Sequence, residues 1–266
     1  MADWNPELYN RFRRYRAEPF EHELTRLEFG DTQKILDLGC GSGENTIELA
    51  RRAPRAAVVG LDSSPAMLDT AAKLHANLGP EIRARLSFVL ADIRNYGADS
   101  EYSLVISNAA LQWTGDHRAV LAACLRVLRP GGTLVIQMPA NYLETAQRTI
   151  LAIAREEPWR EALAGVNVPS RIVSEPEEYS SMLTELGFDA VDCYYRPFHH
   201  PMSCPADIVE WSRATALRPF LNALAEERHA DYLAALTRRL EDEYGTRGPL
   251  KFNFRRIFLW ARRRGN

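Results

Sequence analysis

The sequence has few cysteines and no long apolar run. The four cysteines of this 266-residue chain form neither a Cys-x-x-Cys pair nor a cluster with histidine, so we expect neither a metal site nor a disulfide framework. No apolar run reaches the roughly 18 residues that a membrane-spanning helix needs, and the N-terminal stretch lacks the apolar segment of a secretion signal. These absences favour a cytoplasmic protein with reduced thiols.

The chain also lacks an excess of charge of either sign. Lysine and arginine total 33 against 35 aspartates and glutamates, a formal net charge of −2, so no basic field indicates a nucleic-acid partner. Only three of the 33 basic residues are lysines. Arginine presents a planar fork that suits carboxylate or phosphate, although a GC-rich genome explains most of this preference more simply. We expect a small-molecule substrate and no membrane or nucleic-acid partner, and the oligomeric state stays open.

Short apolar runs alternate with helical patterns between residues 31 and 139, which is typical of β-α-β units with a parallel sheet. The near-continuous apolar runs suit strands that are buried on both faces. Residues 129–132, Arg-Pro-Gly-Gly, are predicted as a turn. The predicted strands are 34–38, 56–62, 86–92, 102–108 and 132–138, and the predicted helices are 44–52, 64–78 and 117–128.

Beyond residue 139 the pattern is mostly helical. Helices are predicted at 142–157, 176–187, 204–217 and 225–245, strands at 188–198 and 252–263, and a turn at His199-His200-Pro201. We expect one α/β domain over residues 1–266, with a doubly wound sheet. Its core, about 31–139, is predicted to bind a cofactor, residues 1–30 and about 140–250 to form a helical substrate cap, and residues 252–263 to form the last strand.

A glycine-rich turn is the strongest local motif. Residues 37–44, Asp-Leu-Gly-Cys-Gly-Ser-Gly-Glu, follow a strand and open a helix, which is the context of a nucleotide-binding turn. No Gly-Lys-Ser/Thr follows, so the motif is not a P-loop. Asp62 ends the second predicted strand, where a carboxylate can accept both ribose hydroxyls, and Asp92 ends the third. The absence of lysine and arginine from 37 to 50 favours a cationic ligand over a pyrophosphate. A purely structural turn is the alternative.

The motifs ILDLGCGSG, GLD at 60–62, ADI at 91–93 and LRPGG at 128–132 resemble class I S-adenosylmethionine-dependent methyltransferases. The resemblance implies a Rossmann-like, seven-stranded, mostly parallel sheet whose last strand is antiparallel, with a helical cap. It implies S-adenosyl-L-methionine as cofactor and S-adenosyl-L-homocysteine as its product. The cofactor contacts that it implies are Asp37, Gly39, Gly41, Gly43, Asp62, Ser63, Asp92, Ile93, Asn108 and Ala109.

A narrower resemblance covers nearly the whole chain and concerns members of this family that methylate small polycarboxylates. It is carried by the segments Asp3-Trp4-Asn5-Pro6, 62–67, Leu111-Gln112-Trp113, Ala216-Leu217-Arg218-Pro219 and Arg255-Xaa-Ile-Phe. It implies that a small tricarboxylate is converted to its monomethyl ester. The segment after Val166 and the 199–201 stretch depart from the family's pattern, and both lie in the predicted cap.

A carboxylate is already ionised at pH 7, so no general base is needed and we predict no catalytic side chain. Arginine forks would neutralise the other carboxylates, with surface ion pairs as the alternative for each. His117, beside Asp116, is predicted to belong to a helix cap and not to act as a base. The predicted substrate-binding residues are Tyr9, Arg16, Gln112, Trp113, His200, Arg218 and Arg255.

The sequence alone leaves three other functions open. The first is methylation of another small carboxylic acid or of an amine, although an amine would need an acidic pocket. The second, a nicotinamide-dependent oxidoreductase, is disfavoured because the third glycine follows the second by two residues and no catalytic Tyr/Lys pair is visible. The third is a non-catalytic module that only binds the cofactor.

Overall fold

The computed structural model describes residues 12–97, 101–168, 172–213 and 215–265. The described residues form two compact units. The sheet unit comprises residues 19–139, 173–196 and 257–265, and the helical unit comprises residues within 12–18, 140–172 and 197–256. Helix 176–186 and the first part of the strand that follows it, which we expected in the cap, belong to the sheet unit. The single-domain organisation stays a prediction.

Seven strands form one sheet in the order β3-β2-β1-β4-β5-β7-β6, which confirms the predicted fold class. The four pairings β1–β2, β2–β3, β1–β4 and β4–β5 are parallel. The strands are β1 Lys34–Leu38, β2 Ala57–Asp62, β3 Leu86–Leu90, β4 Tyr102–Asn108, β5 Leu128–Pro139, β6 Phe188–Met202 and β7 Leu250–Arg263.

Eleven α-helices are found in the described part of the chain, together with short 3-10 helices at Leu111–Trp113 and Glu226–Arg228. Apolar side chains fall on one face of the helices at 44–52, 117–127 and 229–244, and these faces are buried. The helices are α1 Arg13–Thr25, α2 Glu44–Arg52, α3 Pro65–Ala76, α4 Pro80–Arg83, α5 His117–Val127, α6 Thr145–Ile153, α7 Arg160–Leu163, α8 Pro176–Leu186, α9 Pro205–Arg213, α10 Arg218–Ala223 and α11 His229–Tyr244.

The strand order places a topological switch point between β1 and β4. The chain proceeds from β1 outward to β2 and β3 and then returns to the other side of β1 as β4. Loops after neighbouring strands therefore diverge at the carboxyl ends of β1 and β4, which is where open α/β sheets bind their ligands. Both strands are buried almost throughout, so their ends are firmly held.

Strand β7 runs opposite to β5, as the resemblance implies. The backbone N–H of Ala140, just past the end of β5, donates to the Arg255 carbonyl at 2.9 Å. Further along β7, Arg262 Nε donates to the carbonyl of Gly131, near the start of β5, at 3.1 Å. The later residues of β7 therefore lie beside the earlier residues of β5.

Two predicted turns are wrong, because both segments lie inside strands. Residues 129–132 belong to β5. Tyr102 of β4 pairs with Leu128 and Leu104 pairs with Thr133, so β5 has more residues than β4 over this stretch and forms a bulge-like irregularity. Residues 199–201 belong to β6, which extends to Met202. The predicted helix 204–217 is also too long, since α9 ends at Arg213 and a separate helix, α10, begins at Arg218.

The helical unit has an apolar core of its own. Helices α6, α9 and α11 pack together around fully or almost fully buried side chains such as Trp211, Tyr232 and Leu236. Trp159 meets Tyr232 edge to face, with ring centroids 5.2 Å apart. In the part of the chain that the structure describes, no helix combines the length and apolar character needed to cross a membrane.

Candidate active site

The glycine turn between β1 and α2 is built from left-handed backbone. Gly39, Gly41 and Gly43 have φ values of 73°, 54° and 82°, a region that L side chains rarely adopt. The N–H groups of Gly39 and Cys40 both donate to the Leu61 carbonyl of β2, at 2.7 and 2.9 Å. These two hydrogen bonds therefore fix the turn to β2.

The three glycines serve different purposes. A Cβ on Gly39 would lie 2.2 Å from the Cβ of Ala110, and one on Gly43 would lie 2.6 Å from the Phe88 ring. A Cβ on Gly41 would meet nothing within 4 Å. The outer glycines are thus required by packing, whereas Gly41 borders open space that a ligand can fill.

This difference predicts opposite outcomes for two alanine substitutions. Gly41→Ala should weaken cofactor binding about tenfold, because the new methyl group projects into the ligand's space, a loss of roughly 1.4 kcal/mol. Its melting temperature should fall by only about 2–4 °C, from the strained φ. Gly39→Ala, the matched variant, should lower the melting temperature further because its Cβ meets backbone-anchored Ala110. Normal cofactor affinity in Gly41→Ala, measured by titration calorimetry, would contradict this assignment.

Asp62 at the end of β2 holds the turn with both carboxylate oxygens. Its Oδ2 accepts from the Gly41 N–H at 2.8 Å and its Oδ1 from the Ser64 N–H at 2.9 Å. The side chain is half-buried, and each oxygen retains a lone pair for a further donor. Asp62 can therefore organise the turn and accept a pair of ligand hydroxyls at once. Ser63, between these contacts, is exposed.

Asp37 lies beneath the turn and is almost completely buried, at 2% exposure. Thr46 Oγ1, on α2, donates to its Oδ2 at 2.7 Å. Burial, together with the nearby charge of Asp62, raises the pKa of Asp37 to about 7 despite this hydrogen bond. Burial and the same two carboxylates also raise the pKa of the Cys40 thiol, so that thiol stays neutral. The turn is a region of negative potential.

Two buried acceptor atoms lie at the end of β4 and in the segment that follows it. Asn108 Oδ1 and Gln112 Oε1 are buried and have no hydrogen-bond partner among the described residues. Between them, Ala109 has a φ of 55°, strained for a residue with a Cβ, and its carbonyl accepts from Gln112 Nε2 at 2.7 Å. Buried acceptors without donors, beside carboxylates, suit a ligand that brings donors or positive charge.

The end of β3 carries the other two predicted cofactor residues. Arg94 donates from its backbone N–H, at 2.8 Å, and from its guanidinium to the carboxylate of Asp92. These bonds lower the pKa of Asp92 to about 2. Ile93 is buried, at 9% exposure. Any ligand contact of Asp92 must therefore be shared with Arg94.

Trp113 follows Gln112 in the 3-10 helix and is the most exposed indole of the described residues, at 76%. The indoles of Trp159, Trp211 and Trp260 are each below 10%. A large aromatic side chain held in solvent beside the end of β4 is available to contact a ligand. Sequence reasoning missed Thr46, Arg94 and Ala110, because each acts through a partner that only the folded chain identifies.

Two of the predicted substrate arginines differ sharply in their surroundings. Arg218, the first residue of α10, is exposed, and among the described residues its guanidinium has no hydrogen bond or ion pair. Arg255 is half-buried, donates from Nε to the Ala140 carbonyl at 3.1 Å, and lies 3.8 Å from Glu144. Its guanidinium also lies 5.5 Å from the centre of the Tyr142 ring. Of these two arginines, Arg218 is the one whose charge has no partner among the described residues.

His200 is fully buried within the helical unit. Its ring lies among aromatic side chains, with Tyr15 and Trp211 at centroid distances of 4.9 and 5.0 Å. Burial lowers the pKa of His200 to about 4, so the ring is neutral at pH 7. Neither ring nitrogen has a hydrogen-bond partner among the described residues. A substrate contact by His200 stays a prediction.

Two further predicted substrate residues, Tyr9 and Arg16, have side chains that the structure does not describe. Tyr9 precedes the described residues, and the side chain of Arg16 is not described although its backbone lies in α1. Within the described ranges, no group of three or more histidine, cysteine, aspartate or glutamate side chains could hold a metal ion.

Comparisons with known proteins agree with this geometry. Residues 35–132 match the family model described as a methyltransferase domain. A trans-aconitate 2-methyltransferase of Methylobacterium radiotolerans is 40% identical over 99% of both chains. One of Variovorax paradoxus is 37% identical over 99% of this chain and 100% of its own.

A solved structure shares the fold. It is phosphoethanolamine N-methyltransferase 2 of Haemonchus contortus in complex with S-adenosyl-L-methionine, with 19% identity and a TM-score of 0.56. The match covers 92% of this chain and 53% of that one, so the chain spans about half the length of the worm enzyme.

Proposed function

This chain belongs to the family of trans-aconitate 2-methyltransferases, and on that premise we propose that it transfers the methyl group of S-adenosylmethionine to a carboxylate oxygen of trans-aconitate. The chain is a methyltransferase, and S-adenosylmethionine is its methyl donor. The observation that carries the choice of acid is the 40% identity over 99% of both chains. The products are the monomethyl ester and S-adenosylhomocysteine.

The residues at the switch point suit this cofactor. S-Adenosylmethionine supplies an electrophilic methyl group on a positively charged sulfur, and its amino group and ribose hydroxyls are donors. Asn108 Oδ1 offers a buried acceptor without a partner among the described residues, and Asp62 offers a carboxylate for the ribose. Gly41 leaves room for the ligand. We assign the remaining predicted cofactor contacts, Asp37, Gly39, Gly43, Ser63, Asp92, Ile93 and Ala109, to the same site.

The acid requires orientation and not activation. Carboxylic acids have pKa values of about 4 and are ionised at pH 7, so we assign no catalytic base. The chain must align one carboxylate oxygen for in-line attack, an effect that supplies several kcal/mol. The attack removes one positive and one negative charge, and a site that excludes water favours that step. The apolar ring of Trp113 would help to exclude water.

The carboxylates that do not react need cationic partners. We propose Arg218 as the principal one because its side chain is exposed and its guanidinium has no partner in the described part of the chain. Arg255 would bind a second carboxylate by exchanging its contact with Glu144. Gln112 and Trp113 are proposed to contact the acid, and Tyr9, Arg16 and His200 stay predictions. The expected cytoplasmic location also stays a prediction.

Incubation with methyl-labelled S-adenosylmethionine and a panel of acids and amines tests the proposal. We expect the label to appear in a base-labile ester of trans-aconitate. A base-stable methylated amine, or an ester of another acid formed much faster than that of trans-aconitate, would replace the proposed substrate. Label that stays on the cofactor with every compound would indicate a module that only binds it.

The affinity for S-adenosylmethionine should rise with pH as Asp37 loses its proton. With a pKa of about 7, Asp37 is protonated below that pH, and the ionised form attracts the sulfonium. The affinity should therefore fall by up to about tenfold for each pH unit below 7 and level off above about 8. S-Adenosylhomocysteine lacks the sulfonium charge and should vary much less. Calorimetric titrations of both ligands between pH 5.5 and 8.5 measure this.

Two variants control the experiment. Asp37→Asn should remove the difference in pH dependence between the two ligands, and Thr46→Val should move the midpoint to higher pH, because Thr46 stabilises the ionised carboxylate. Because the pKa of Asp37 is higher in the folded than in the unfolded chain, this group also makes the free energy of unfolding fall as pH rises from about 4 to 7. Identical pH dependence for both ligands would contradict the assignment.

A further inference from the structure

His117 and Tyr179 form a buried pair beside the 3-10 helix that follows β4. His117 Nδ1 lies 2.5 Å from Tyr179 Oη, and the two rings are stacked with centroids 5.8 Å apart. The side chains are 8% and 0% exposed. His117 opens α5, four residues after Trp113, and the reaction described above makes no use of the pair.

The Tyr179 hydroxyl joins the segment before α8 to His117. The N–H of Ser174, just before α8, donates to Tyr179 Oη at 3.2 Å, and His117 Nδ1 is hydrogen-bonded to the same oxygen. Burial lowers the pKa of His117, partly offset by the Leu111 carbonyl and the Asp116 carboxylate. His117 Nε2 has no hydrogen-bond partner among the described residues, and α5, which His117 opens, packs against both the 3-10 helix 111–113 and α8.

The segment from Ala109 to Thr114 has a defined shape of its own. The Leu111 carbonyl accepts from the N–H of Thr114 at 3.0 Å and from its Oγ1 at 2.8 Å. Gln112 Nε2 donates to the Ala109 carbonyl at 2.7 Å. These bonds fix the segment internally, and α5, which begins at His117, packs against it. Movement of the imidazole would move Gln112 and Trp113 together.

We propose that His117 is a positioning residue: Tyr179 holds its ring, and the ring holds Gln112 and Trp113 in place for the bound acid. The proposal rests on the proposed function, because it takes Gln112 and Trp113 as substrate contacts. Neither His117 nor Tyr179 touches the reacting atoms in this role. The pair acts on the acid and leaves the cofactor contacts of the glycine turn unchanged.

Tyr179→Phe removes the hydroxyl alone and tests the pair. We expect kcat/KM for trans-aconitate to fall about tenfold while the Kd for S-adenosylmethionine changes less than twofold. Tyr232→Phe is the matched control, because Tyr232 is also fully buried and its hydroxyl has no hydrogen-bond partner among the described residues. The proposal would be overturned if both variants had similar kcat/KM values for trans-aconitate. It would also be overturned if Tyr179→Phe weakened S-adenosylmethionine binding by the same factor as it lowered kcat/KM.

Two substitutions of His117 separate positioning from simple packing. Asparagine places a hydrogen-bonding amide close to the position of Nδ1 and can still bond to the Tyr179 hydroxyl, whereas leucine fills space without a polar group. His117→Asn should keep kcat/KM for the acid several-fold above that of His117→Leu. Equal activities of the two variants would show that only volume matters at this position.

Fluorescence of Trp113 tests the pair without any turnover. Trp113→Phe is introduced into the wild type and into each tyrosine variant, and its spectrum is subtracted to isolate the emission of Trp113. The acrylamide quenching constant of that emission then measures how accessible the Trp113 ring is. Tyr179→Phe should alter the quenching constant, and Tyr232→Phe should not. If the wild-type protein methylates no acid, the proposed function is wrong, but the quenching experiment still tests the positioning role. An unchanged quenching constant in Tyr179→Phe would reject the positioning role whatever the substrate.

Discussion

Replacing Asp62 by alanine should weaken binding of S-adenosylmethionine by about 100-fold or more. The carboxylate accepts from Gly41 and Ser64, and it is proposed to accept both ribose hydroxyls as well. Hydrogen bonds to a charged acceptor are worth about 1.5–3 kcal/mol each, and two of them account for at least a 100-fold loss. Calorimetric titration measures the affinity directly, and circular dichroism checks that the variant is folded.

Cofactor analogues separate the two roles of Asp62. An analogue that lacks the ribose hydroxyls should bind the wild type weakly, but it should bind Asp62→Ala nearly as well as S-adenosylmethionine does. This non-additivity is the signature of a direct interaction. If Asp62→Ala lowered the affinity for S-adenosylmethionine and for the analogue by the same factor, the carboxylate would act only by holding the turn.

Replacing Arg218 by alanine should raise the KM for trans-aconitate by about 100-fold. A bidentate guanidinium–carboxylate contact contains two charge-assisted hydrogen bonds, and their loss costs about 3 kcal/mol. The Kd for S-adenosylmethionine should stay within twofold of the wild type. Initial-rate kinetics at saturating cofactor measure the first quantity, and calorimetry measures the second.

Controls for this prediction lie close in the chain. Arg213 is also exposed but pairs with Glu210 at 3.2 Å, so Arg213→Ala should leave both constants unchanged. Arg218→Lys keeps the charge without the planar fork and should recover only part of the loss. Similar effects of Arg213→Ala and Arg218→Ala would indicate a general loss of positive charge and no specific contact.

The sheet could be predicted from sequence because its strands carry their own signal. Strands β1 and β4 are continuous apolar runs, and their predicted limits, 34–38 and 102–108, are the observed ones. The errors came where tertiary pairing outweighs local preference. Pro130, Gly131 and Gly132 are turn residues by composition, yet they lie inside β5, at the point where its register with β4 shifts.

The candidate site was predictable only in part, for a related reason. The glycine turn and Asp62 are recognisable because their spacing follows from backbone geometry. The partner of Asp37 could not be found, because Thr46 meets it through the packing of α2 on β1. Likewise no local pattern shows that Arg255 is engaged while Arg218 has no partner among the residues that the structure describes, since that depends on which side chains the fold brings together.

The double hydrogen bond to the Leu61 carbonyl has a consequence for the speed of binding. A turn already fixed by Leu61 and Asp62 needs little ordering when the cofactor arrives, so most of the conformational entropy is lost during folding and not during association. Capture should then follow simple second-order kinetics, without a slow isomerisation after the encounter. Weaker affinity in variants of this turn would appear mainly as faster dissociation.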